Sequence, residues 1–221
     1  MNNEELAAHI QHTLIGVGVS CDQIRKHVDE CLEFGFNAAM VSADWVPEVK
    51  SLLAGSKVKV ASAIDFPYGN MTTAGRVAEA KALADVGVDE IDIGVHISWL
   101  ISGQVDRFED DIAAVVAAAG VPIKVMLELP LLTEEQKLQA VNASVSAGVA
   151  YVKNASSGQV GKATAEEMAW LKAHVPDHVK VKGSGGISTR EHVEQLLAAG
   201  AALVGSSAGV SILQGTEASS Y

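Results

Sequence analysis

The stretch Ala150-Tyr-Val-Lys153 ends a short apolar run on a lysine, and Asn154-Ala-Ser-Ser-Gly158 follows it. The run predicts a buried strand, and the small polar residues and glycine after it predict a loop. An ammonium group at the end of a buried strand loses its hydration unless it is paired or releases its proton. A neutral amine at such a place can attack a carbonyl and form a Schiff base. Taken alone, Lys153 could equally extend its flexible stem into solvent.

Strand predictions of this kind occur eight times along the chain and alternate with helical stretches. The predicted strands are 12–18, 37–41, 57–64, 90–95, 122–128, 149–153, 180–184 and 201–205, and a short helix at 4–11 precedes them. Strict alternation predicts a parallel sheet, and eight repeats in 221 residues fit a closed (β/α)₈ barrel, or TIM barrel, in a single domain over residues 1–221. An open doubly wound sheet is the alternative, although the Gly-x-Gly-x-x-Gly signature is missing after the first strand.

Composition and charge narrow the class of protein. The formal net charge of −11 argues against a nucleic-acid groove, which needs a basic surface. Residues 1–5 lack the basic and apolar layout of a signal peptide, and no apolar run is long enough to span a membrane. Cys21 and Cys31 fall in one predicted helix, roughly 15 Å apart, which is too far for a disulfide. We therefore expect a soluble cytoplasmic protein with no membrane or nucleic-acid partner.

Charged residues at the ends of the predicted strands form the first candidate site. In a barrel, active groups lie at the carboxyl ends of the strands, a position that fits Asp92, Glu128, Lys153 and Lys182. Strands six and seven are neighbours, so Lys153 and Lys182 should lie close together, with Asp92 across the barrel mouth. A second ammonium beside Lys153 disfavours its protonated form, and a nearby carboxylate can move protons. A purely structural ion-pair network is the alternative, although buried pairs rarely repay their desolvation.

Two glycine-rich loops form the second candidate site. Gly183-Ser-Gly-Gly186 follows strand seven and Gly205-Ser-Ser-Ala208 follows strand eight, and each leads into a predicted helix. Glycines let the backbone approach an anion, and these two loops are where barrels commonly hold a phosphate. The predicted phosphate ligands are Gly185, Gly186, Gly205, Ser206 and Ser207.

The remaining reactive residues fit no recognised pattern. The seven histidines show no ligand spacing such as His-x-x-x-His, so we expect no bound metal. The serines near Gly158 have no His and Asp at a recognisable spacing, which argues against a hydrolase triad. His96 lies just past strand four, where a hydrogen-bonded structural role is the simpler interpretation.

Several runs, spread in order over nearly the whole chain, resemble deoxyribose-phosphate aldolase. They are His12-Thr-Leu14, Ala61-Ser-Ala-Ile-Asp-Phe-Pro-Tyr-Gly69, Glu90-Ile-Asp-Ile93, Lys124-Val-Met-Leu-Glu-Leu-Pro-Leu-Leu-Thr133, Ala147-Gly-Val-Ala-Tyr-Val-Lys153, Val181-Lys-Gly-Ser-Gly-Gly-Ile187 and Ala199-Gly-Ala-Ala-Leu-Val-Gly-Ser-Ser207. Carried over by position, the resemblance implies that Lys153 is the Schiff-base lysine, Lys182 the second lysine and Asp92 the proton-relay aspartate.

The resemblance also implies a reaction and its partners. A metal-independent class I aldolase without cofactor would cleave deoxyribose 5-phosphate to acetaldehyde and glyceraldehyde 3-phosphate, or form it from them. The phosphate would lie at the loops of strands seven and eight, and the protein could be a homo-oligomer. Tyr221 matches a tyrosine tail that reaches the active site in some members of the family.

Four positions depart from the family pattern around the expected substrate. Gln11 stands where the family usually has Asp, Asn154 and Ala155 replace the usual Thr-Ser after the lysine, and Ala208 replaces a serine. Two alternatives therefore stay open at this stage. One is a related Schiff-base aldolase with a different aldehyde acceptor, and the other is a barrel that binds a sugar phosphate without catalysis.

Overall fold

The computed structural model describes residues 1–216, and within them eight parallel strands close into a barrel in chain order. β8 pairs with β1, so no sheet edge is left open. This confirms the predicted (β/α)₈ barrel with its short N-terminal helix. Tyr221 lies outside the described residues. The strands are β1 Ile10–Leu14, β2 Ala38–Val41, β3 Lys59–Ile64, β4 Glu90–Gly94, β5 Ile123–Met126, β6 Tyr151–Lys153, β7 Lys180–Ser184 and β8 Leu203–Ser206.

Helices follow the strands, and several of them begin at a side-chain cap. Ser20 and Thr133 form capping boxes with Gln23 and Gln136, which satisfy free N–H groups at the helix start. No helix in residues 1–216 is long and apolar enough to cross a membrane. The helices are α1 Asn3–Ala7, α2 Cys21–Phe34, α3 Val46–Leu52, α4 Thr73–Asp85, α5 Ile97–Ile101, α6 Val105–Ala119, α7 Glu134–Ser146, α8 Ala165–His174, α9 Arg190–Ala198 and α10 Gly209–Gln214.

The two faces of the strands have different chemistry. Side chains alternate along a strand, so every second residue faces the helices and the others face the barrel axis. The outward positions are aliphatic, as at Ile91, Ile93 and Val152, and they form the main core between strands and helices. The positions between them include Asp92 and Lys153, which are also buried. The barrel interior is therefore where this chain places its charged groups.

The structure corrects some predicted boundaries. The helix predicted over 4–11 ends at Ala7, and Ile10 and Gln11 belong to β1, because they pair with β2 and β8. Strand five ends at Met126, and Glu128 has a left-handed backbone (φ 50°) that no strand accepts.

Candidate active site

Lys153, Lys182 and Asp92 meet inside the barrel. Lys153 and Lys182 are register partners on β6 and β7, so their side chains leave neighbouring strands on the same face. The Nζ atoms of Lys153 and Lys182 lie 2.5 Å and 2.8 Å from the same oxygen, Oδ2 of Asp92 on β4. All three side chains are almost fully buried. One carboxylate oxygen thus links two amines and can pass a proton between them.

A second layer of charged side chains lies on the amino-terminal side of this group, and it was not predicted from the sequence. Lys124 on β5 is fully buried, with Nζ 2.6 Å from Glu90 Oε2 and 3.3 Å from Asp92 Oδ1. Glu90 also pairs with Lys59 on β3. Lys124 and Glu90 sit in the middle or at the start of strands, where a charged residue usually faces solvent. Their strict alternation with Ile and Val was the available signal.

The pKa values of Asp92 and Lys182 shift in the direction that this crowding demands. Burial alone would raise the pKa of Asp92, but the ammonium groups of Lys153, Lys182 and Lys124 outweigh it and hold that pKa far below its usual range. Burial lowers the pKa of Lys182 well below its ordinary value; Asp92 opposes this, while Lys153 and Lys124 add to it. Asp92 is therefore ionised, and the surroundings of Lys182 favour the loss of its proton.

A cavity of about 770 Å³ opens above these groups at the carboxyl ends of the strands. Asp92, Lys153 and Lys182 line it together with the loops after β6, β7 and β8. The wall formed by β1 to β3 and their loops is largely apolar, and it includes Leu14, Ile15, Met40, Ala63 and Phe66. A small polar molecule that enters from solvent would reach the lysines directly.

The predicted phosphate loops line the polar side of the cavity. Gly185 and Gly186 have φ values of 102° and 64°, which disfavour other residues. A Cβ at Gly185 would also lie 2.2 Å from the carbonyl oxygen of Gly161. Gly205, Ser206 and Ser207 line the same side.

Known deoxyribose-phosphate aldolases match this chain over nearly its whole length. No protein-family model matches the chain. A deoxyribose-phosphate aldolase from Brevibacillus brevis is 39% identical over 210 residues, which cover 95% of each chain. One from Streptococcus gordonii is 37% identical over 216 residues, covering 97% of this chain and 98% of that protein. The tetrameric deoxyribose phosphate aldolase from Aeropyrum pernix superposes with a TM-score of 0.88 at 27% identity, covering 96% of this chain and 91% of that structure.

The chain belongs to the deoxyribose-phosphate aldolase family. It is therefore an enzyme, and its activity is that of an aldolase, a carbon–carbon lyase.

The positions at which this aldolase departs from the family pattern differ in their relation to the cavity. Ala208 lines it, whereas Asn154 and Ala155 are fully buried and are not among its lining residues. Asn154 Oδ1 accepts from the backbone N–H of Ser184, and its Nδ2 donates to the Ser184 carbonyl and to Glu167. It thus fastens the end of β6 to the end of β7.

Glu128 supports the loop that follows Lys153. Both of its carboxylate oxygens accept from the backbone N–H of Ser156, at 3.0 and 3.1 Å. Burial raises the pKa of Glu128, although the bonds from Ser156 and the charge of Lys153 oppose that rise. Ser156 Oγ lines the cavity and has no hydrogen-bond partner in the described structure. Glu128 itself does not line the cavity, so its place at the strand end serves to hold this loop.

Histidines form a cluster outside the cavity, between β1 and α2. One ligand atom each of His12, His27 and Glu30 lie within 4.8 Å of one another. The residues come from two elements, so their spacing in the sequence did not reveal them. The two imidazole rings are stacked 4.5 Å apart with an interplanar angle of 27°, so their lone pairs do not converge on one point. His12 Nε2 instead lies 3.0 Å from Glu30 Oε2, an arrangement that joins α2 to the barrel.

His96 of the aldolase is a structural residue in this arrangement. It is buried, stacks on Trp99 with ring centroids 3.6 Å apart, and has Nε2 3.6 Å from Asp111 Oδ1. It does not line the cavity. Its burial and stacking fit a structural role, but Nε2 has no hydrogen-bond partner in the described structure.

Proposed function

We propose that this single-domain barrel reversibly cleaves 2-deoxy-D-ribose 5-phosphate to acetaldehyde and D-glyceraldehyde 3-phosphate, with Lys153 as the Schiff-base nucleophile. The observation that carries the proposal is the shared oxygen Asp92 Oδ2, which contacts Lys153 and Lys182 on the floor of the cavity. A binding protein has no need for two buried amines around one carboxylate. An aldolase must both attack a carbonyl and move protons at the same place.

The first step is the preparation of the nucleophile. Lys153 must lose a proton, and its contact with Asp92 gives that proton a path. It passes from Lys153 Nζ to Asp92 Oδ2 and on to Lys182 Nζ, so one N–H bond breaks, one forms, and the positive charge moves to Lys182. Burial lowers the pKa of Lys182 and so favours its neutral amine, which is the form that can accept this proton.

The bond-breaking step uses the same groups. The free amine of Lys153 adds to the C1 aldehyde of the open-chain sugar, the Lys182 ammonium gives its proton to the departing hydroxyl, and loss of water leaves an iminium. The C3 hydroxyl then loses its proton to Asp92, directly or through a water molecule, and the C2–C3 bond breaks. Its electrons move into the iminium as an enamine, and glyceraldehyde 3-phosphate leaves. Asp92 passes its proton to Lys182, which delivers it to C2, and hydrolysis of the resulting iminium releases acetaldehyde and returns Lys153 as its ammonium.

The phosphate is assigned to the glycine-rich side of the cavity. Backbone N–H groups of Gly185, Gly186 and Gly205 would approach the phosphate, because these residues carry no side chain that blocks it. Ser207 is exposed, so its hydroxyl can contribute. Ser206 Oγ already donates to the Ile187 carbonyl and accepts from the Ala208 N–H, so Ser206 would act through its backbone.

Lys162 adds a positive charge that the sequence analysis did not find. It is exposed and lines the cavity. Its Cγ would lie 2.8 Å from a Cβ on Gly186, so its stem passes close to the phosphate loop.

The expected cytoplasmic location and the homo-oligomer belong to the same proposal. The tetrameric structure of the Aeropyrum pernix aldolase supports self-association.

Borohydride reduction in the presence of acetaldehyde tests the nucleophile. We expect mass analysis to find a stable two-carbon adduct on Lys153 and no adduct in Lys153→Leu, whose activity should fall by at least about 10⁴-fold, as for other covalent nucleophiles. Lys162→Met is the matched control, because it removes an amine from the cavity wall and should keep the adduct. An adduct on any other lysine, or none, would overturn the mechanism.

The Lys162→Met variant also tests which substrate the enzyme uses. With deoxyribose 5-phosphate, Lys162→Met should raise KM while kcat changes little, and with unphosphorylated deoxyribose both values should stay near those of the parent. Equal efficiency of the parent enzyme toward the two sugars would contradict the phosphate site and leave the aldolase chemistry standing.

A further inference from the structure

Gln11 makes a set of contacts that the reaction scheme has not used. It is fully buried on β1, and its Oε1 accepts from Lys182 Nζ at 2.5 Å. Its Nε2 donates to Glu90 Oε2 at 2.8 Å and to Asn37 Oδ1 at 3.1 Å. Because two acceptors lie on the Nε2 side and a donor lies on the Oε1 side, only one orientation of the amide fits.

The role of the uncharged hydrogen-bond partner Gln11 depends on the charged groups that surround Lys182. Among the described residues, the ionisable groups that face the Lys182 and Gln11 pair from the surrounding strands are Lys59, Glu90, Asp92, Lys124, Tyr151 and Lys153. Glu90 is engaged by Lys59 and Lys124. His12, the neighbour of Gln11 in β1, turns to the other face and pairs with Glu30. Among the described residues, Asp92 is the one carboxylate that accepts a hydrogen bond from Lys182, and Lys153 donates to the same carboxylate.

We propose that Gln11 is a positioning residue that holds Lys182 in place without supplying a counter-ion, so that Lys182 can be neutral and accept the proton that Lys153 loses. The proposal rests on the proposed function. A carboxylate at the same distance would favour the ammonium form of Lys182, because opposite charges within 4–6 Å stabilise each other in a buried site. An amide oxygen accepts a hydrogen bond from an amine as well as from an ammonium, so it fixes the position of Nζ in both states.

Gln11→Glu tests the charge at constant side-chain length. Activity should rise with pH as Lys182 loses its proton, and a carboxylate beside Lys182 raises the pH at which this happens. We expect the acid limb of the kcat/KM profile to move up by about one pH unit, with about tenfold lower activity on that limb and recovery at higher pH. Gln195→Glu, on exposed α9, adds the same charge far from Lys182 and should leave the profile unchanged.

Gln11→Met separates the charge from the loss of a contact. It keeps the length of the side chain and removes all three hydrogen bonds, so kcat should fall while the acid limb does not move up. Thermal unfolding of each variant checks that it is folded. If Gln11→Glu lowers activity equally at every pH, or if its acid limb stays in place, Gln11 is only structural and the proposal fails.

Borohydride trapping keeps this result separate from the function itself. Both Gln11 variants should still give the acetaldehyde adduct on Lys153, with a rate of trapping that follows the same pH profile as turnover. An adduct on Lys153 with an unmoved acid limb would overturn the role of Gln11 alone. Absence of the adduct in the parent enzyme would overturn the proposed function.

Discussion

Two buried clusters of charge, one inside the barrel and one outside it, differ in the kind of cation they contain. The inner cluster gathers the amines of Lys124, Lys153 and Lys182 around Asp92. The outer one centres on Arg76 of α4, which is fully buried, contacts Asp65 and Asp111, and donates to the Gly94 carbonyl. Asp111 Oδ1 also accepts from Thr73 at 2.6 Å.

The difference teaches how the same chain uses buried charge for two purposes. The outer cluster has more carboxylates than cations, and a guanidinium does not release its proton in a protein. Its charges are fixed, so it can hold α4, α6 and the loop after β3 together. The inner cluster has more cations than the shared carboxylate can satisfy, and its cations are amines that can titrate. We infer that the Arg76 cluster stabilises the fold. The inner cluster destabilises the fold but supplies the amines that the reaction needs.

Lys182→Met gives the largest effect that sharpens this comparison. Loss of the proton acceptor should lower kcat by about 10²–10⁴-fold. The pKa of Lys182 is below its unfolded value, so the folded state disfavours its charge at neutral pH and the lysine costs stability there. Removing it should leave stability unchanged or raise it by up to about 1 kcal/mol, since the lost bond to Gln11 offsets part of the gain.

Assays of kcat and of thermal unfolding on the same preparation check both parts of this prediction. Lys180→Met is the matched control, because Lys180 lies two residues earlier on β7 and is exposed. It should keep full activity. A Lys182→Met protein that unfolds several degrees below the parent would show that Lys182 is structural, and the contrast between the clusters would fail.

Arg76→Met should lower stability and leave activity nearly unchanged, which is the opposite of the effect expected for Lys182→Met. Without the guanidinium, Asp65 and Asp111 are left buried beside each other, and we expect a loss of about 3–5 kcal/mol in the free energy of unfolding. The folded fraction should keep kcat within about threefold, because Arg76 does not line the cavity. Urea unfolding monitored by circular dichroism measures the loss. Arg190→Met, which breaks the part-exposed pair with Glu194, should cost no more than about 1 kcal/mol. Equal losses in the two variants would contradict the structural role of Arg76.

The sequence alone was enough to predict the barrel and the meeting of Lys153 with Lys182. Both lysines lie on short strands whose alternation with Val152 and Val181 fixes the face they occupy, and neighbouring parallel strands have little freedom of register. Asp92 followed from the same alternation on β4. These are local patterns whose consequence in a closed barrel is nearly unique.

The inner cluster as a whole was beyond that reasoning. Lys124 and Glu90 acquire their roles only through contact between β4 and β5 at a given depth, which depends on the stagger of the closed barrel. Gln11 was assigned to a helix, because the apolar residues Leu6, Ala7 and Ile10 also fit a helical period. Asn154 looked like a substrate residue because it follows Lys153, yet a buried amide must satisfy its own hydrogen bonds, and it does so with Ser184.

Glu90→Gln tests whether the lower layer of the inner cluster resembles the Arg76 cluster. Burial would raise the pKa of Glu90, but Lys124 and Lys59 outweigh it and lower the pKa to about 2. A folded pKa below the unfolded value means that the stabilisation is complete above the unfolded pKa, near 4.5, and is lost as the pH falls toward 2. We expect the variant to lose about 2 kcal/mol at pH 7, and the difference from the parent to shrink steadily between pH 4.5 and 2.

Urea unfolding at several pH values from 7 to 2.5 measures this difference, which cancels the titration of other carboxylates common to both proteins. Glu134→Gln is the control, since the Glu134 carboxylate is exposed and its pair with Lys137 lies in solvent, so the variant should track the parent at every pH. A Glu90 effect that is independent of pH would mean that its charge does not stabilise the fold. The lower layer would then not resemble the Arg76 cluster, whose fixed charges hold elements of the fold together.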